Sequence, residues 1–275
     1  MIKCMSRKMK RSLYVTMTGI CAALYALGSY ATSYIESPWG VGQFRPAVVI
    51  PAFFAIAFGP LVGGIGAALG TFLQSIARYG HPWLTLISGT PANFLAFYML
   101  GYLLHEKFTW TRFVTVGVIT LIIANFVCAL GVLMYFILTG IFPVNLPYMF
   151  YLGFVIGLTL WWYVTMLPFL LFLTPVLLKA TAKAIPQFMP EHLIKVSLKR
   201  EIPSKTLSGV LVFSGIGMAI IGLVMFLPGS EVLVVAYKPG VQQIILNGMR
   251  TMFLLTGGGC IATGAAFGIL KLFLK

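Results

Sequence analysis

Long apolar runs alternate with short polar stretches along this chain, eight runs in all, near 12–35, 46–58, 61–79, 92–104, 113–139, 149–178, 207–227 and 251–274. At ~1.5 Å per residue, about 20 residues of helix cross the hydrocarbon core of a bilayer, so most of these runs predict spanning helices. The second run is short, and Pro51 inside it predicts a tilted, kinked or re-entrant segment. Pro168 predicts a bend in the sixth. The stretch 179–205 breaks the pattern: it is basic, carries Pro186 and Pro190, and predicts a linker with an interfacial helix. The expected fold is all-α, a polytopic membrane protein. It comprises a six-span bundle over 1–180, a basic cytoplasmic linker over 181–206 and two additional spans over 207–275, with both termini inside.

Composition sharpens this picture. Of 275 residues, 60% are hydrophobic and 9% charged, which excludes a soluble core, and the loops between runs are too short for a soluble domain. Lys and Arg number 19 against five acids. With eight crossings and the N-terminus cytoplasmic, only Arg45, Arg78, Lys238 and Arg250 of the 19 fall outside. The basic excess therefore serves topology and anionic lipid rather than nucleic acid. The basic start (Lys3, Arg7, Lys8, Lys10, Arg11) precedes a run too long for a cleaved signal, so a retained first span is expected.

Every acid is a glutamate, and aspartate is absent. That disfavours magnesium-dependent lipid transferases and aspartyl proteases, which work through aspartates. No glutamate falls mid-span, which disfavours coupling to an ion gradient. The four cysteines have no metal or redox spacing. The glycines of 63–70 do not fit the dinucleotide fingerprint, and no Walker A motif occurs. No enzyme activity, cofactor or metal is expected.

Setting topogenic charge aside, the outer ends of the first six spans hold Trp39, Gln43, Phe44, Arg45, Gln74, Arg78, Trp83 and Asn93. A few polar groups converging among aromatics suit a small-molecule pocket. Aromatics stack on flat rings, amides read ring edges, and arginine holds a carboxylate or phosphate. Bland alternatives stand beside each. Arg45 and Arg78 also suit snorkelling to lipid phosphates, and Trp39 and Trp83 suit an interfacial belt. His81 beside Pro82 suits a plain loop, and Asn125, mid-span, suits an interhelical hydrogen bond. Arg45 stands out because it breaks the charge trend where loop becomes helix.

The run GVGQFRPAVVIPAFFAIAFGPLVGGIGAALG, residues 41–70, resembles the segment after the first helix of substrate-binding S components of energy-coupling factor (ECF) transporters. The shared pattern is a Pro-Ala-type apolar helix, a Phe-Gly-Pro turn and a glycine-rich helix start. Ala22 and Ala26, four apart on the first span with Ala23 between, resemble that family's alanine motif, which docks the coupling subunit. The resemblance covers about residues 10–180. It implies a six-helix bundle that binds a vitamin-like micronutrient near its outer face, closed by the loop after span 1. It also implies a separate membrane coupling subunit and two ABC-type ATPases as partners, in the plasma membrane. The last two spans depart from the usual pattern. A stand-alone secondary transporter or channel and a non-transport scaffold are the rival classes. Flavin, thiamine and folate rings fit the aromatic and amide set equally.

Overall fold

The computed structural model describes residues 11–195 and 204–273. Lys3, Cys4, Arg7, Lys8 and Lys10 of the basic start, and Lys199, Arg200 and Glu201 of the linker, lie outside the described residues. Among those described, the secondary structure is helical apart from one isolated bridge between Glu36 and Gln43.

Helix α1 (Arg11–Ala31) packs against α3 (Pro60–Tyr79), and between them runs the short α2 (Val49–Phe58). A five-residue turn of helix, α4 (Trp83–Ile87), leads into α5 (Gly89–Leu104). Two long helices follow, α6 (Trp110–Leu138) and α7 (Tyr148–Ala184). A small helix, α8 (Glu191–Lys195), lies in the linker, and α9 (Ser204–Val224) with α10 (Pro239–Phe273) forms a C-terminal hairpin. Six helices, α1, α3, α6, α7, α9 and α10, are long and apolar enough to cross a membrane. The chain is a multi-pass helical membrane protein.

The buried face of α1 is Thr18, Cys21, Ala22, Tyr25 and Ser29, whereas Val15, Ile20, Leu24 and Leu27 are exposed. Small and polar groups turn inward and large apolar groups outward, as helix association in lipid requires. Close approach between α1 and α3 depends on Gly66, where a Cβ would lie 2.6 Å from the Cys21 sulfur.

Helix α2 is the centre of the bundle. Nine of its ten residues are buried, and α1, α3, α5 and α7 surround it. The kink expected at Pro51 gives way to a simpler arrangement. A turn of 3-10 helix, Pro46–Val48, leads into α2, and Pro51 sits in the first turn, where its missing N–H has no helical partner to lose. Gly59, at φ +105°, reverses the chain, and Pro60 starts α3.

Elsewhere three boundaries move. Helix α1 ends at Ala31 rather than 35, and α7 runs through Pro168 and Pro175 as one element to Ala184. Helix α10 starts twelve residues before the expected 251, at Pro239. Its first turns carry Gln242, Gln243 and Asn247, which hydropathy reads as loop. Arg250, expected in a loop, therefore lies within this helix. It donates from Nε and Nη2 to the Met225 carbonyl at 2.9 and 2.8 Å, closing the turn that follows α9.

Candidate functional site

The segment 32–45 joins α1 to the 3-10 turn before α2. It folds back on itself: the Ser37 amide donates to the Gly42 carbonyl at 2.9 Å, and the Phe44 amide to the Ile35 carbonyl at 2.8 Å. Gly40 and Gly42 take positive φ, which makes the reversal possible. The loop is fastened to α7. Trp161 Nε1 donates to the Gly42 carbonyl at 3.0 Å, and the Trp39 ring lies against Gly157, where a Cβ would meet it at 2.2 Å.

Beneath this loop is a buried cavity walled by α5 (Ala92, Asn93, Ala96, Phe97), α6 (Leu121, Ala124, Asn125, Cys128) and α7 (Trp162, Met166), with Arg45 as the contribution of the loop. It is narrow, leaving about 10 Å³ to the centre of a water-sized sphere, room for one water. Arg45 is 6% exposed, and its Nε has no partner among the described residues. The same holds for Trp162 Nε1. Asn93 is fully engaged: Nδ2 donates to Thr71 Oγ1 and to the Gly89 carbonyl, each at 2.9 Å, and Oδ1 accepts from the Tyr25 hydroxyl at 3.3 Å. Asn125 Nδ2 approaches the Met166 sulfur at 3.6 Å, a weak acceptor.

Of the eight residues expected at a substrate site, Arg45 and Asn93 line this cavity. Gln43 and Phe44 belong to the loop itself and Gln74 and Arg78 to α3, and none of the four is on the cavity wall. Gln43 Nε2 donates to the Tyr79 hydroxyl, and the Phe44 ring meets Phe169 edge-on with centroids 5.4 Å apart. Gln74 is buried in α3 with its Nε2 unpartnered. Arg78 pairs with Glu36 at 3.5 Å and lies over the Tyr34 ring at 4.1 Å, so it braces the loop. Trp39, also in the loop, packs on α7 and is likewise off the cavity wall. Trp83 is 62% exposed and off the cavity, because α4 turns it outward in the manner of a belt aromatic.

Ala22 needs a correction as a partner contact. It is 4% exposed and faces α3, where a Cβ on Gly70 would come within 2.8 Å of its carbonyl, so the small-residue face is used within the chain. Ala23 is exposed and Ala26 half-buried. Sequence reasoning missed Tyr25, Thr71, Trp162 and Met166, and it read Asn125 as an interhelical hydrogen-bond partner, which its contact with Met166 on α7 matches, without placing it on the cavity wall. Only Asn125 carried a signal, as an amide inside an apolar run.

A narrow, largely apolar cavity with Arg45 and two amides on its wall, under a fastened loop and inside a helical bundle, is the candidate site of this multi-pass membrane protein. The chain matches the family described as ECF-type riboflavin transporter, S component, over residues 10–162, more than half its length, and it belongs to that family. Over 73 residues it is 32% identical to a "UPF0397 protein" of Streptococcus gordonii (strain Challis). That stretch is 26% of this chain and spans only 38% of the relative's length. No solved structure matches. The family is one of transporter components, not of enzymes.

Proposed function

We propose that the chain is the substrate-capture subunit of an ECF-type importer. It takes a vitamin-like ring from outside the cell and hands it on with a separate membrane coupling subunit and two ABC-type ATPases. The observation that carries this reading is the cavity lined by Arg45 and Asn93 beneath the 32–45 loop, in a chain of this family. The positive-inside bias of the loops supports a cytoplasmic N-terminus with the 32–45 loop outside. The six-span bundle over 1–180 would hold the site, the basic linker over 181–206 would lie in the cytoplasm, and the spans over 207–275 would be an addition to the capture unit. A ring-sized ligand needs a few hundred Å³, so capture requires the loop and the walls of α5, α6 and α7 to move apart. Ala23 and Ala26, beside Gly19, offer the coupling subunit a face of α1 on which a side chain at Gly19 would meet nothing within 4 Å.

The test has two arms. Affinity purification of the tagged chain from its own cells, in mild detergent, is expected to bring down a membrane coupling subunit and two ATPases. In vesicles the chain alone is expected to bind ligand without accumulating it. The name of the family makes riboflavin the first ligand to try. Uptake by the chain alone, abolished by an uncoupler, would identify a secondary transporter and overturn the proposal.

A further inference from the structure

Arg45 presents an electrostatic problem that capture of a ring does not solve. Its guanidinium is charged at every working pH, so it cannot escape burial by losing a proton. Among the described residues no carboxylate comes within 4.0 Å of it, and the ion pairs present are Arg78 with Glu36 and Lys195 with Glu191. Aspartate is absent from the chain, and no glutamate lies on the cavity wall. The Tyr25 hydroxyl meets the guanidinium but is neutral and does not balance its charge, and an ionised group taken out of water without a counter-charge costs several kcal/mol even after relaxation.

The chemistry of the wall points one way. Two buried side-chain atoms on the cavity have no partner, Arg45 Nε and Trp162 Nε1, and both are donors. Asn93, the amide beside them, already spends its Nδ2 on Thr71 and Gly89 and its Oδ1 on Tyr25. Two free donors, one of them on the cation itself, are matched by a group that only accepts and carries negative charge. An ionised carboxylate and a phosphate are such groups.

We infer that the substrate of this site carries an oxyanion, carboxylate or phosphate, received by Arg45 with Trp162 as the second donor. The inference rests on the capture reading and narrows it to acidic micronutrients. A lipid phosphate is a poor source of the anion, because Arg45 faces the interior of the bundle and is almost wholly covered. Arg78, only partly covered and paired with Glu36, is the arginine nearer the surface.

The experiment uses the full chain in phosphatidylcholine nanodiscs, titrated with three matched pairs: riboflavin 5′-phosphate and riboflavin, nicotinate and nicotinamide, pantothenate and pantothenol. In at least one pair the anion is expected to bind about ten-fold tighter or more, the usual scale for a charge-assisted hydrogen bond. Arg45→Gln is expected to bring the ratio within that pair close to one. Arg45→Lys, which keeps the charge, is expected to retain part of the preference, and Trp162→Phe to weaken it. The last two variants keep the test alive if Arg45→Gln fails to fold. Neutral members that bind as tightly as their anions in every pair that binds overturn the inference and leave the capture reading standing. A preference that vanishes when phosphatidylglycerol is added to the discs assigns Arg45 to a headgroup, and also overturns it. If no probe binds and no metabolite co-purifies with the chain, both readings fall together, whereas a neutral metabolite alone overturns the inference and spares the capture reading.

Discussion

Single residues decide how closely these helices approach. A Cβ at Gly66 would sit 2.6 Å from the Cys21 sulfur and 2.7 Å from the Cys21 Cβ. Gly66→Val therefore drives α1 from α3 or forces Cys21 off its rotamer, and overpacking of this kind costs about 1–3 kcal/mol. The expected outcome is a clear fall in the melting temperature of the detergent-solubilised protein, and an unchanged melt would show that the α1–α3 contact adapts freely. Glu36→Gln makes a useful contrast. Its partner Arg78 is partly exposed, so the pair contributes at most about 1 kcal/mol, and global stability should barely change. A large loss of stability would mean that the pair works as part of a wider network. Arg45 was legible in the sequence because an outward arginine violates the charge trend. Trp162 and Tyr25 were not, since a buried aromatic inside an apolar run looks the same whether it fills a core or lines a site. Whether Trp162 reaches the cavity depends on helix rotation, and α7, apolar nearly all round, shows little periodicity to fix it.

At the scale of elements, the eight apolar runs all became helices, because a backbone in lipid must satisfy its own hydrogen bonds. Their ends were less legible. A polar first turn hid the start of α10, and the proline expected to kink α2, Pro51, falls in its first turn instead. Helix α1 carries one prediction about partners. Ala23→Leu adds bulk to an exposed position, so the melt should stay near wild type while recovery of the coupling subunit falls. Full recovery would remove this face from the interface. Helix α8 carries another, about pH. His192 lies close to His105, whose Nδ1 meets the Ile56 carbonyl at 2.8 Å. Burial first, and the neighbouring His105 second, hold the His192 imidazole below its ordinary value. Other charged groups at α8 are Glu191, paired with Lys195, and Lys179, whose Nζ donates to the Leu193 carbonyl at 3.3 Å. A lowered folded value means the docked form prefers neutral imidazole. Docking is then complete above the unfolded value of about 6.5 and is lost as pH falls through the lowered one. Amide exchange at 193–195, corrected for its intrinsic pH dependence, should speed up between pH 7.5 and 5.5. His192→Gln should flatten that response, and a response that persists in the variant would place the titrating group elsewhere.

Across the whole molecule, the C-terminal hairpin is not a free appendage. Its helices pair tightly, Ser208 Oγ donating to the Gly264 carbonyl at 2.6 Å, and Ser214 on α9 shares a 2.8 Å hydrogen bond with Tyr163 on α7. The connection between them reaches the site: Tyr237 donates from its hydroxyl to the Trp39 carbonyl at 3.2 Å, across 198 residues of sequence. A side chain on Gly248 would come within 3.4 Å of Pro38 in the same loop. Burial raises the Tyr237 hydroxyl well above its ordinary value, so it remains a donor at any working pH. The segment joining α9 and α10 therefore holds the 32–45 loop, the loop that opens to a ligand in the function proposed above. A hydrogen bond of this kind contributes about 0.5–1.5 kcal/mol net, and its loss should favour local opening roughly two- to ten-fold. Tyr237→Phe keeps the ring, which meets Phe142 edge-on with centroids 6.2 Å apart, and removes only the hydroxyl. Exchange of the Ser37 and Gly40 amides, both hydrogen-bonded within the loop, should then accelerate by that factor, while amides of α3 and α5 stay as they were. If the loop amides exchange at the wild-type rate, the hairpin only packs beside the bundle, and control of the loop rests with α7, through Trp161, and with α3, through Arg78.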